Sequence, residues 1–313
     1  MSKKNIAILG AGTMGTGIAQ LFASSGHKVM MIYVYDDKER ARPLETMEQN
    51  LRILADYDVI SENDIQPTLD NVCFTESLEE AAQFADVIIE CIVENLTVKQ
   101  DYLKQLDELC TPETILCSNT SAISITEIAE KSVNKDRIIG THFWNPAYLI
   151  PLVEVIRTEY VSEKTEKEIF EILEGAGKKP VLVKKDVPGF LANRLQHALF
   201  REAISIVEND IAEPKDVDDA IKYGFGMRLG VMAPMEVMDN GGLDLTYSIH
   251  KYLFPNIENT AKPNKLLEEK VNKGELGFKT VKGVQEWTED EIAASRKKLT
   301  EGLIKVAKAL DRL

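Results

Sequence analysis

Basic residues are under-represented in this chain of 313: 37 Lys and Arg stand against 51 Asp and Glu, a net charge of -14. A nucleic-acid surface needs a basic footprint, so no nucleic-acid partner is expected. An anionic small molecule is not excluded, because a few local cations can hold one. Cysteine is also scarce. Cys73, Cys91, Cys110 and Cys117 make no CxxC pair and no metal-ligand spacing. They read as buried, reduced thiols of a cytoplasmic protein, and no metal site is expected. Long apolar runs are missing. The longest, residues 29–35, is far too short to cross a bilayer, so no membrane association is expected. The N-terminal stretch MSKKNIAILGAG runs into glycines after a short apolar segment and reads as a first strand, not a signal peptide.

What the chain does have is alternation. Short apolar runs at 5–9, 28–35, 71–74, 87–91, 114–118, 137–143, 152–156 and 181–184 are separated by helical patterns. Val- and Ile-rich strands with helices between them predict an α/β domain whose parallel sheet is covered on both faces. After Asp186 the pattern changes. Pro188 and Gly189 interrupt the chain, residues 190–209 read as one long helix, and no further strand is evident. In the last helical segment Ile292, Leu299, Leu303, Val306 and Leu310 share one face. The expected division is therefore 1–185 and 186–313. The second, all-helical domain should supply a wall of the active site, a dimer surface, or both.

Gly10-Ala11-Gly12-Thr13-Met14-Gly15 follows the first strand and opens a helix. Gly10 permits the tight turn, Gly12 lets the backbone approach a pyrophosphate, and Gly15 lets helix and strand pack closely. Free N–H groups at the helix start would bind the phosphates. This is the dinucleotide signature of a Rossmann-type doubly wound, mostly parallel sheet. Asp36 ends the second strand and favours NAD, because a carboxylate there repels a 2′-phosphate. Arg40 and Arg42 nearby keep NADP open. Asp36 lies 26 positions after Gly10, beyond the usual ~20, so the strand or its preceding turn must be extended.

The chemistry points to His142. It ends one strand in GTHFWNP, and Glu154 lies in the next, LVEVI. If the two run antiparallel about a loop centred on Tyr148, the imidazole and the carboxylate come opposite each other. Such a pair suits alcohol oxidation, in which a base must take the hydroxyl proton. Ser118-Asn119-Thr120-Ser121 ends the fifth strand, where side chains can line the ligand crevice or cap the following helix.

These residues resemble the 3-hydroxyacyl-CoA dehydrogenase family along essentially the whole chain. The matching segments are GAGTMG (10–15), ECIVENLTVK (90–99), SNTSA (118–122), GTHFWNP (140–146), LVEVI (152–156), DVPGFLANRL (186–195) and KGELGFKTVKGV (273–284). The resemblance implies that His142 is the base and Glu154 its partner. It implies that Ser121 and Asn193 hold the substrate oxygen, and that Glu94, Lys99 and Asn119 belong to the cofactor side. It also implies a homodimer through the helical domain.

Two departures bear on the substrate. Residues 46–67, where CoA-using members carry lysines, hold Glu48, Asp56, Asp58, Glu62 and Asp64 against Arg52. Pro151 stands where those members more often have Lys. The NPAYLIPLVE segment is closer to relatives acting on CoA-free hydroxy acids, such as carnitine dehydrogenase and the gulonate dehydrogenase/lambda-crystallin branch. Arg228 is then a candidate partner for a substrate carboxylate. The expected activity is NAD-linked oxidation of a 3-hydroxy acid or 3-hydroxyacyl compound, with a CoA-free acid preferred to a CoA thioester. A non-catalytic NAD-binding structural or sensing protein is the rival from another class. The 6-phosphogluconate-like dehydrogenases are set aside because their lysine motif is missing.

Overall fold

The computed structural model describes residues 3–33 and 41–313. Eight strands make one sheet: β1 (Asn5–Leu9), β2 (Lys28–Ile32), β3 (Val72–Thr75), β4 (Val87–Glu90), β5 (Ile115–Ser118), β6 (Ile138–Phe143), β7 (Leu152–Ile156) and β8 (Lys179–Val183). Their order is β3-β2-β1-β4-β5-β6-β7-β8. The first six are parallel. β7 then runs antiparallel to β6, and β8 is parallel to β7.

The strands are near-continuous apolar runs because both faces are covered. Ile6 and Ile8 enter one core cluster, while Ala7 and Leu9 enter the other. α1 (Thr13–Ser24), α2 (Ala41–Asp56), α3 (Leu96–Leu109) and α4 (Glu163–Gly175) follow their strands. Phe22 of α1 is fully buried, edge-on to Phe143, and burying a side chain of that size stabilises by roughly 1.5–3 kcal/mol. A buried ion pair, Arg137 Nη2 to Asp107 Oδ1 at 2.7 Å, ties α3 to the start of β6. The other oxygen of Asp107 accepts the N–H groups of Val133 and Asn134, so the buried charge is well satisfied.

The chain begins in the middle of the sheet, winds outward to β3 and returns to β4 beside β1. That reversal is the topological switch point, and the crevice lies outside the carboxyl ends of the strands there. The arrangement is the expected Rossmann-type sheet. β2 ends at Ile32, with Tyr33 already outside the strand, and Asp36 and Arg40 lie outside the described residues. β8 begins two residues earlier than the apolar run suggests, at Lys179, and includes Pro180. A proline is tolerated because β8 is an edge strand.

The chain divides into two compact units, 1–193 with 312–313, and 194–311. α5 (Ala192–Glu208) starts in the first and continues in the second. The second unit is helical. Its described residues contain no strand, only isolated bridges of Lys282 to Gly277 and Glu286. Its last helix, α6 (Glu289–Ala309), starts with a reciprocal cap between Thr288 and Glu291.

Two expectations need correction. On α6 Ile292 and Ile304 are buried while Leu299 and Val306 are exposed, so helical spacing marked an apolar face that this chain alone does not cover. Cys73 is exposed and Cys91 half-buried. Only Cys110 and Cys117 are buried thiols, because Cys73 sits on the edge strand β3. Among the described residues no helix is long and apolar enough to cross a membrane, and no cluster of His, Cys, Asp or Glu is placed to hold a metal.

Candidate active site

The turn from β1 into α1 is built from glycine for steric reasons. Gly10 has φ +107°, and a Cβ there would lie 2.9 Å from the Cys91 carbonyl oxygen at the end of β4. A Cβ on Gly15 would come within 1.9 Å of the Gly10 oxygen, so any side chain would push α1 off the strand. Gly12 is different: nothing lies within 4 Å of its missing Cβ. Space stays open over the first turn of α1, which has no side-chain cap and no acidic residue. Unpaired N–H groups and the positive end of the helix dipole therefore face an open space, a fit for a pyrophosphate.

That space is part of a cleft of about 630 Å³. Gly12 and Thr13, Arg42 and Thr46 of α2, and Asn145 and Tyr148 of the β6–β7 loop line it. Met14 points away, half-buried against the core.

The antiparallel register of β6 and β7 sets His142 directly opposite Glu154. Nδ1 of His142 lies 2.7 Å from Glu154 Oε2. Glu154 is fully buried, and its other oxygen accepts the backbone N–H groups of Leu191 (2.9 Å) and Ala192 (2.8 Å) at the start of α5. Trp144 Nε1 also donates to Oε2, at 3.2 Å. Burial pushes the Glu154 carboxyl up, but the bonds from His142, Ala192, Leu191 and Trp144 outweigh it and hold the group below its usual range. The carboxylate therefore stays charged and keeps the imidazole proton on Nδ1. Nε2, which has no hydrogen-bond partner among the described residues, is left as an acceptor. Trp144 and Phe190 flank the ring, with centroids 5.6 and 5.7 Å away.

A second network joins the ends of β4 and β5. Lys99, buried on α3, pairs with Glu90 at 2.6 Å and with Glu94 at 3.2 Å. Glu90 also accepts from Ser118 Oγ at 2.6 Å and from the Ile92 N–H at 2.8 Å. Glu94 accepts from Thr120 Oγ1 and from the Ser121 N–H. Burial raises the Glu94 carboxyl, and the Thr120 hydrogen bond together with Lys99 brings it below its usual value. Ser121 is exposed, and Asn193 Nδ2 donates to its carbonyl at 3.1 Å. Asn119 Oδ1 accepts the Phe143 N–H at 2.8 Å, bracing the end of β5 against the end of β6.

The structure thus brings together His142 with Glu154, Glu94 with Lys99, and Ser121 with Asn193. Lys99 meets other protein groups rather than lining the cleft, where its neighbour Val98 appears. Arg228 is exposed on the short helix Phe225–Leu229 of the second unit. Sequence reasoning missed Trp144, Glu90 and the N–H pair of Leu191 and Ala192. Glu90 left a signal, an acidic residue closing the apolar run VIIE. Backbone donors leave none.

Two family descriptions match the chain: 3-hydroxyacyl-CoA dehydrogenase, NAD binding domain, over residues 5–187, and 3-hydroxyacyl-CoA dehydrogenase, C-terminal domain, over 189–287. The chain belongs to the 3-hydroxyacyl-CoA dehydrogenase family. It is an NAD-dependent dehydrogenase acting on CH–OH groups. Probable 3-hydroxybutyryl-CoA dehydrogenase of Bacillus subtilis is 37% identical over 290 residues, covering 92% of this chain and 99% of that protein. The 5-formyl-3-hydroxy-2-methylpyridine 4-carboxylate 5-dehydrogenase of Mesorhizobium japonicum is 32% identical over 309 residues, 98% of each chain. A crystal structure of a dehydrogenase of that name, described as an NAD+ dependent dismutase, superposes with a TM-score of 0.91 over 99% of both chains at 32% identity.

Proposed function

We propose that this dehydrogenase oxidises the secondary alcohol of a CoA-free 3-hydroxy acid to the ketone, with His142 as the base. Nε2 of His142 takes the hydroxyl proton, and Glu154 orients the ring and stabilises the resulting imidazolium. Ser121 and Asn193 hold the substrate oxygen. Gly12, Thr13 and the first turn of α1 hold the cofactor's phosphates, with Glu94 toward the nicotinamide. NAD, when bound there, supplies the hydride acceptor. A positioned base of this kind contributes on the order of 10²- to 10⁴-fold in rate.

One observation carries the preference for a CoA-free acid: the one cation of 46–67 and the buried Lys99 are already engaged by carboxylates. Within 46–67 Arg52 is bound to Glu48 at 2.6 Å, and Lys99 is buried between Glu90 and Glu94. Phosphate groups need charge-assisted partners, and the neighbouring carboxylates oppose them. The full-length match to an enzyme named for a free pyridine carboxylate agrees with this. Lys184 and Lys185 remain exposed, and the Bacillus subtilis relative is named for a CoA ester. Direct competition decides. The kcat/KM for 3-hydroxybutyryl-CoA is set beside those for free hydroxy acids including carnitine and gulonate. The reading requires a free acid to win. A CoA ester ahead by more than about a hundredfold, some 2.7 kcal/mol, reverses it.

The protein is further proposed to act as a homodimer through the helical unit, whose uncovered apolar side chains support that reading. A cytoplasmic setting is supported by four free cysteines.

A further inference from the structure

A buried lysine outside the chemistry bonds to the loop that lines one side of the cleft. Lys178 lies in the turn between α4 and β8, and only 7% of it is exposed. Its ammonium donates to two carbonyl oxygens of the β6–β7 loop, Ala147 at 2.6 Å and Ile150 at 2.8 Å. No carboxylate pairs with it among the described residues. An ammonium stripped of water and matched only by neutral dipoles is costly to keep. Burial lowers its pKa to about 8. A methionine or leucine would fill the same space without that cost, so what the lysine adds is its hydrogen bonds.

Those bonds act on one segment. Asn145, Pro146, Ala147 and Tyr148 line the cleft together with the glycine turn. Ala147 packs so closely on α1 that a Cβ at Gly17 would lie 3.3 Å from its own. Tyr148 Oη donates to Asn50 of α2 at 3.1 Å, and Asn50 donates to Gln20 of α1 at 2.9 Å. The loop is thus held by α1 and α2, which border the cleft, and by Lys178. We infer that Lys178 is a positioning residue for the cofactor: by tying down the Ala147 and Ile150 carbonyls it preforms the cleft wall from Asn145 to Tyr148. A wall already ordered spares the entropy of ordering it on binding, which appears as affinity.

The test uses NADH alone, so it stands apart from any reading of the substrate. Lys178→Met should fold with nearly unchanged thermal stability yet bind NADH at least fivefold more weakly by fluorescence titration. Lys178→Arg, which keeps donors, should recover at least half of that loss on a logarithmic scale. A folded Lys178→Met with affinity within twofold of wild type overturns the inference, and so does an equal loss in both variants, which would assign the effect to packing. If Lys178→Met does not fold, the wild type decides. Saturating NADH should slow acetylation of Lys178 at least threefold relative to exposed Lys164, read by peptide mass spectrometry. Unchanged relative labelling overturns the inference.

Discussion

The sheet unit buries most of its large apolar residues, and the helical unit displays many of its own. Around the sheet two clusters take up Ile, Val, Leu and Phe from every strand. In 194–311 the buried apolar side chains are Val217, Ile292 and Ile304, while Tyr223, Met227, Val231, Met235 and Tyr252 are each 70% or more exposed. Large apolar side chains left exposed in this number are a feature of interaction faces. The contrast teaches where to look for each property. The sheet unit holds both core clusters and the His142–Glu154 pair, so changes there should act on chemistry at any protein concentration. The helical unit should respond to protein concentration.

The sharpest test of the first half is His142→Gln. The kcat should drop by roughly 10²- to 10⁴-fold, with NADH affinity and particle mass unchanged. Full turnover in that variant would remove the base from the mechanism.

Next comes the helical half. Met235→Asp combined with Tyr252→Asp should convert a two-chain particle into a single chain, read by light scattering. In a two-fold interface each substitution counts twice, and a buried unpaired charge costs several kcal/mol. A wild type that already runs as one chain would erase the contrast between the units.

A smaller effect tests the cofactor cleft. NAD should exceed NADP by at least about tenfold in kcat/KM, some 1.4 kcal/mol. Equal use would mean that Arg42, which lines the cleft, meets a 2′-phosphate.

The smallest effect is a slope. The Glu154 carboxyl is held below its ordinary 4.5. Its stabilising contribution is therefore complete above that value and disappears as the pH falls through the lower value of the folded state. Glu154→Gln should be less stable than wild type at pH 7, and the gap in melting temperature should narrow as the pH drops below about 4.5. A constant gap would show that the carboxylate's charge does not support the fold.

The sheet was readable because parallel strands buried on both faces are apolar throughout, and glycine turns punctuate them. The His142–Glu154 pairing was readable for a related reason. Antiparallel register follows from counting residues about a loop, and the count placed the two opposite each other, as β6 and β7 do. Contacts made through the backbone were hidden. Nothing in LANRL announces that the Leu191 and Ala192 N–H groups serve a carboxylate 37 and 38 positions away. The α6 face misled because amphipathic spacing records that a surface is covered, not what covers it. Lys99 looked like a cofactor ligand, and only the fold shows Glu90 beneath it.

Between β8 and α5 the backbone passes through two successive left-handed residues, Gly189 (φ +74°) and Phe190 (φ +48°). A bulky residue rarely adopts that conformation, and here it seats the Phe190 ring against His142 while aiming the next two N–H groups at Glu154. The two family segments meet in this turn, at 187 and 189. The turn where the two family segments meet is therefore also a clasp on the Glu154 carboxylate. A nucleotide-binding module ending at residue 185 would keep its glycine turn and lose two of the four donors that hold the Glu154 carboxyl below its usual range.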